Sequence, residues 1–275
     1  MRARALRDCA IIAVFPALLT AQVVFSRRVY RPSGRTYQQV WVWSPSDRSF
    51  KPLTDSERNH FRPACSEDGR HIYFLSGTDL YDCSGLWSFD GETGQERKVS
   101  ADRRIPAPGA NQPPIAECSQ AVWARDNARF ACSAGQDVLI YDATTKQEVG
   151  RGHFGERPTP PTAIAWSLNR RWLLVGTPGQ DDNSTSRQSD YFALDLSRMA
   201  WIPVGSGNDA MWLPSRNEIV YSTPRNLISL TPSSKHQVWS AHLVVFDPAT
   251  RRRTPVTSGV TNNIQPAPCT RWPVQ

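Results

Sequence analysis

One four-part unit recurs along this 275-residue chain, and it constrains the fold more than any other feature. Its first half is an apolar strand, a polar turn, and a second apolar strand that ends in a small residue. It reads "RPACSEDGRHIYFLSG" at 62–77, "QAVWARDNARFACSAG" at 120–135, "AIAWSLNRRWLLVGT" at 163–177 and "DAMWLPSRNEIVYST" at 209–223. The turn is Asp68-Gly69 in the first copy. Asp126-Asn127, Asn169-Arg170 and Ser215-Arg216-Asn217 occupy it in the others. The slot three residues before Asp68 holds Cys65, and the later copies place Trp123, Trp166 and Trp212 there.

A second half always follows: an apolar strand ending in Asp, a turn, and a closing strand. It reads "GLWSFDGETGQERKVS" (85–100), "DVLIYDATTKQEVG" (137–150), "DYFALDLSRMAWIPVG" (190–205) and "HLVVFDPATRRRTPVTSG" (242–259). Asp90, Asp142, Asp195 and Asp247 fill one slot, and Ser44 fills it in a fifth copy, "QVWVWSPSDRSFKPLT" at 39–54. Each unit therefore holds two hairpins. Successive Trp or Cys slots lie about 43 to 58 residues apart, around the length of a four-stranded propeller blade.

The chain ends complete the argument. The N-terminal copy has "QVVFSRRVY" (22–30) ahead of its hairpin but no first strand. The C-terminal "IQPAPCTRWPV" (264–274) opens a unit it does not finish, with Pro266 matching Pro63. The expected fold is all-β: a single β-propeller of four-stranded antiparallel blades. Five blades are expected, six if one has decayed beyond recognition. They are the composite blade, then 58–100, 118–150, 162–205 and 209–259. The C-terminal strand pairs into the N-terminal blade and closes the ring, which removes exposed sheet edges. The Pro-rich 101–117 stretch reads as a connection. Ten Trp, ten Phe, 22 Pro and 16 Gly suit strands joined by frequent turns.

Residues 1–21 read as a secretory signal peptide. A basic segment with Arg2, Arg4 and Arg7 precedes "CAIIAVFPALLTA". The apolar run is about a dozen residues against about 20 for a membrane span, and Pro16 interrupts it. Residues 22–275 are then an exported propeller domain, periplasmic or extracellular, with no stable membrane span once the leader is cleaved. An uncleaved anchor is the alternative. The whole chain carries a formal charge of +7. Its Arg pairs and triplets are scattered and form no basic stripe interleaved with aromatics, which argues against nucleic acid. Beyond Cys9 there are five cysteines: Cys65, Cys83, Cys118, Cys132 and Cys269. Export permits disulfides. The pairs Cys65/Cys83 and Cys118/Cys132 could each flank one hairpin, but spacing alone does not fix connectivity.

The pattern Pro-x-x-Ser-x-Asp-Gly-Arg-x-Ile-x-Phe-x-Ser in 62–77 is followed by a strand ending in Asp90 and a Thr-Gly turn. Together they resemble the WD40-like (PD40) repeat of the TolB-like β-propeller family. "SFKPLTDSERNHFRP" (49–63) and "PVTSGVTNNIQPAP" (255–268) resemble the junctions between such blades. The other copies keep the Trp and the strand pattern and lose Asp-Gly. The resemblance covers most of 38–270. It implies an exported propeller that works as a binding platform. The separate N-terminal α/β domain of TolB proper is not expected here.

Catalytic signatures are missing from the sequence. There is no Gly-x-Ser-x-Gly elbow, and Gly205-Ser206-Gly207 lacks its spacing. The five His form no His-Glu-x-x-His pair. His60 and His153, near blade entries, are candidates for a binding face, with Trp201 and Trp239 as candidate exposed aromatics. Asp90, Asp142, Asp195 and Asp247 read as turn formers, because Asp accepts bonds from backbone N–H groups two residues on. Trp123, Trp166 and Trp212 read as inter-blade packing. Asp68-Gly69 belongs to the same structural repeat. The polar insertion 176–190 offers a weak Ca²⁺ loop in Asp181, Asp182, Asn183 and Asp190. With 223–241 it forms the longer loops, where binding is expected to concentrate.

The expected function is a monomeric, non-enzymatic scaffold with no cofactor, binding a ligand or docking another protein, with an envelope or secreted protein the expected partner. The alternative is a carbohydrate-binding propeller, or a propeller hydrolase or lyase acting on glycans.

Overall fold

The structure is a computed structural model. It describes residues 22–30, 35–66, 69–77, 85–100, 121–124, 126–156, 159–178, 188–229 and 237–269. The leader, Asp68, Cys83, Cys118, Asp181, Asp182 and Asn183 lie outside the described residues.

All regular structure among the described residues is strand. The first three strands are β1 (Gln22–Tyr30), β2 (Thr36–Trp43) and β3 (Phe50–Pro52). One blade follows in β4 (Asn59–Cys65), β5 (His71–Gly77), β6 (Gly85–Asp90) and β7 (Glu96–Ser100). The next is β8 (Ala121–Trp123), β9 (Arg129–Ala134), β10 (Asp137–Asp142) and β11 (Glu148–His153). Then come β12 (Thr162–Trp166), β13 (Trp172–Pro178), β14 (Ser189–Asp195) and β15 (Ala200–Trp212). The remainder is β16 (Ile219–Ser222), β17 (Asn226–Ser229), β18 (Gln237–Ser240), β19 (Leu243–Asp247), β20 (Arg252–Pro255) and β21 (Asn263–Cys269).

The pairing is that of a β-propeller. The C-terminal β21 joins the N-terminal blade in the order β21-β1-β2-β3, with Gln22 opposite Cys269 and Arg27 opposite Asn263. Blades β4–β7 and β8–β11 are separate four-stranded sheets. The last two share one strand: β15 closes β12-β13-β14-β15 and opens β15-β16-β19-β20. That makes five four-stranded units among the described residues. The pair β17–β18 is an extra hairpin outside them.

Burial follows the radius. Third strands such as "DVLIYD" are apolar on both faces, because each blade is covered on both sides, and β10 is buried at its four central positions. Outer strands are polar: all four residues of β20 are exposed. Apolar clusters fill the gaps between blades. Val24, Val42, Ile72 and Phe74 join the first and second blades. Leu173 and Leu194 of the fourth meet Val138 and Ile140 of the third. Trp172 and Val204 of the fourth meet Trp212 and Phe246 of the fifth. Phe25 and Trp43 of the first meet Leu213 and Leu243 of the fifth. Full burial of each such side chain contributes about 1.5–3 kcal/mol.

In two of the three Trp slots the indole bonds to the preceding blade. Trp166 Nε1–H donates to Val122 O at 2.8 Å, and Trp212 Nε1–H donates to Ala165 O at 2.9 Å. Each acceptor lies one residue before the preceding blade's own Trp. In the second blade the slot holds Cys65, which forms a disulfide with Cys269 of the preceding blade's inner strand, 204 residues away. This corrects the Cys65/Cys83 hairpin pairing considered from spacing. A covalent bond replaces the Trp contact at the junction where the two chain ends meet. Cys132 is also disulfide-bonded.

Candidate functional site

Antiparallel pairing sorts the connections onto two ends of the ring. One end holds the tight turns within hairpins, including the four Asp turns. Asp90 Oδ1 accepts from the N–H groups of Glu92 and Thr93, and Asp142 Oδ1 from those of Thr144 and Thr145. Asp195 accepts from Ser197 N–H and Asp247 from Ala249 N–H. These bonds hold the exposed Asp90 and Asp142 carboxyls below the usual carboxylate range. The other end receives the links from second to third strand of every blade, including the stretches beginning at 178 and at 223.

That second end opens onto the most unusual chemistry of the molecule. The inner strands β4, β15 and β21 are each interrupted by a register shift in their pairing. At each shift one non-glycine residue is left-handed: Arg62 (φ 51), Asp209 (φ 55) and Gln265 (φ 57). L-residues avoid this region, and such strain clusters where function over-determines the backbone. The three residues converge. Arg62 N–H donates to Gln265 Oε1 at 2.8 Å. The Asp209 carboxylate accepts from the Gln265 backbone N–H and feels Arg225 and Arg62. Arg225 feels Asp209 and Arg28 in turn, and Arg28 acts on Tyr30.

Burial dominates the electrostatics here. It pushes the Asp209 carboxyl up against the opposing pull of Arg225, Arg62 and the Gln265 N–H. It pushes the Arg225 guanidinium down, with Asp209 working the other way. It raises the Tyr30 phenol, with Arg28 opposing. Asp209 is open to solvent yet surrounded by protein, as a channel-lining group should be. Arg62 and Arg225 thus face one carboxylate, and Arg28 stands beside Arg225.

The second polar cluster is enclosed between the first two blades. His60 is fully buried. Its Nε2 is 2.8 Å from Ser56 Oγ and 3.6 Å from Glu96 Oε2, and Ser56 Oγ also reaches Glu96 Oε2 at 3.2 Å. A relay needs the nucleophile and the carboxylate on opposite ring nitrogens. Here serine and carboxylate share Nε2, and Nδ1 is buried without a partner. Burial, aided by Arg58, lowers the His60 pKa to about 3, while burial raises that of Glu96. His60 is a neutral, buried packing element, with Ser56 and Glu96 only partly buried beside it.

The other residues picked from sequence are dispersed. His60 is removed from any binding face by its burial. His153 is exposed on the outer edge of the third blade, with Nδ1 2.7 Å from Asp137 Oδ1. Trp201 is half-buried: its Nε1–H donates to His153 O at 2.8 Å and its ring meets Phe154 edge-on at 4.8 Å. Trp239 stands opposite Leu227 in the extra hairpin. Asp190 accepts from Ser206 Oγ. Gly69 is left-handed at its turn, φ 74. Trp123 stacks obliquely on Phe130 at 5.0 Å, and its Nε1 is buried without a partner. Among the described residues, no three His, Cys, Asp or Glu gather as metal ligands. The channel residues were missed by sequence reasoning, although Arg62 and Asp209 both stand three positions before the Cys/Trp slot.

No protein-family model matches the chain, and no curated protein matches it in sequence. Among solved structures it is similar to hydrazine synthase of Kuenenia stuttgartiensis, with TM-score 0.50 and 10% identity over 92% of this chain and 48% of that one. The chain thus spans about half the length of that protein. TolB of Acinetobacter baumannii gives TM-score 0.45 and 11% identity over 92% of this chain and 68% of that one. Oligogalacturonate lyase in complex with manganese gives 0.36 and 13% over 81% and 60%. Strand order and likeness together define a β-propeller, the class in which this chain belongs by fold.

Proposed function

We propose that this protein is an exported, non-enzymatic scaffold that docks another envelope or secreted protein on the end of the ring bearing the long connections. The observation that carries the reading is the β17–β18 hairpin. It adds nothing to the five blades, yet it is built firmly. Its base is bridged to the strand entry before β21 through Ala241 and Asn262. Buried Asn263 donates from Nδ2 to Ala241 O, Thr257 Oγ1 and Thr261 Oγ1. Leu227 on this hairpin is 48% exposed. Rigid rings that present extra loops at one end are suited to binding. The basic, apolar leader and the Cys65–Cys269 disulfide support an oxidising, extracytoplasmic location.

The test is affinity capture from solubilised envelope and secreted material of the host. Wild type is compared with Leu227→Asp/Trp239→Ala and with Glu92→Arg, which lies at the opposite end. Proteins retained by wild type and Glu92→Arg and lost by the hairpin variant support the reading. Equal retention by all three overturns it. Enrichment of glycan alone favours the carbohydrate-binding alternative.

A further inference from the structure

We propose that the channel mouth at this same end is an oxyanion-binding site, built by Arg28, Tyr30, Arg62 and Arg225 and gated in charge by Asp209. The site adjoins the base of the hairpin through Arg225, and it stands whether or not a protein docks there.

Three observations converge. First, the charges do not balance: Arg62 and Arg225 share one carboxylate, and Arg28 adds a third guanidinium beside Arg225. Arginine forks match planar carboxylates and phosphates. Second, three donor groups of this cluster are buried without a protein partner: Arg28 Nε, Tyr30 Oη and Arg225 Nε. Buried donors are nearly always satisfied, and leaving several unsatisfied in one place is unfavourable unless an acceptor arrives from outside the chain. Third, the inner strands adopt left-handed backbone at Arg62, Asp209 and Gln265, each at a register shift in the strand pairing. Two of these residues belong to the cluster, and the third bonds to both of them.

The geometry also assigns a role to Asp209. Its carboxylate occupies the cationic cluster in the free protein and competes with an incoming anion. Removing its charge while keeping its acceptor oxygen for the Gln265 N–H strengthens anion binding. A purely structural carboxylate has the opposite signature: its loss lowers stability and leaves anion binding unaffected. The shared chemistry is an oxyanion, carried by a free small molecule or by a partner's acidic side chain.

The experiment is thermal unfolding of the purified full-length protein with inorganic phosphate, succinate or a Glu-rich peptide. Sodium chloride at matched ionic strength is the control. A ligand that binds the native state raises Tm saturably. The expected result is a saturable rise with at least one probe. Phosphate alone identifies phosphate, succinate a free carboxylate, and the peptide alone a protein-borne one. Arg225→Gln weakens that probe at least tenfold, and Arg28→Gln does the same if Arg225→Gln fails to fold. Asp209→Asn tightens binding several-fold. No saturable shift beyond chloride with any probe overturns the proposal. So does unchanged affinity in both arginine variants.

Discussion

The recurring unit reports itself most clearly in single residues. Trp166 and Trp212 each combine apolar burial with one donor aimed at the neighbouring blade. Trp212→Phe removes that hydrogen bond, strands Ala165 O and leaves space, so stability should fall by about 1–3 kcal/mol in urea unfolding. The Asp turns follow the same logic with a hidden partner. Four residues after each slot the backbone is left-handed, at Gly94, Lys146, Met199 and Arg251. Asp was legible because its side chain announces the turn. The left-handed position was not, because three of the four copies lack glycine. Arg251 is exposed with φ 58, so Arg251→Gly should raise stability by about 0.5–1 kcal/mol. His60 shows the reverse limit. A His near a blade entry looked accessible in sequence, while the loop through Ser56 seals it. Its folded pKa of about 3 lies below the unfolded value near 6.5. The unfolded chain therefore binds the extra proton between those values, and stability falls as pH drops through that window. Between pH 7.5 and 4.5, wild type should lose about 2–3 kcal/mol more than His60→Gln in urea unfolding.

At the scale of elements, hairpins and blade limits were legible because each strand carries its own apolar run and each turn its own breaker. The exception is β15. Gly205-Ser206-Gly207 reads as a break between blades, and in the structure it is the middle of one 13-residue strand. The glycines serve close approach. Gly205 has φ 140, and a Cβ on Gly207 would lie 2.1 Å from Ser222 O. Backbone cannot withdraw as a side-chain tip can. Gly207→Ala should therefore cost more than about 2 kcal/mol and loosen the fourth blade from the fifth, read as faster amide exchange in β15 and β16. The channel cluster was illegible for a related reason. Arg28 and Asp209 stand on strands far apart in sequence, with Arg225 on a link of Asp209's own blade, and only the ring brings Arg28 to the other two.

For the whole molecule, closure rests on two devices at one place: β21 pairing with β1, and the disulfide from Cys65 to Cys269. The strand exchange was legible from an unfinished repeat at each terminus. The disulfide was not, because a 204-residue separation carries no local pattern. Cys269→Ser, or reductant on wild type, should lower stability by about 2–5 kcal/mol. The account assigns the working surface to the end with the long connections, leaving the Asp turns as scaffold. Hydrogen–deuterium exchange of the protein alone and with its captured partner tests that division directly. Protection confined to β17, β18 and the inner-strand starts at 59–62, 208–210 and 263–265 is the result expected. Protection centred on the turns at Asp90, Asp142, Asp195 and Asp247 would contradict it.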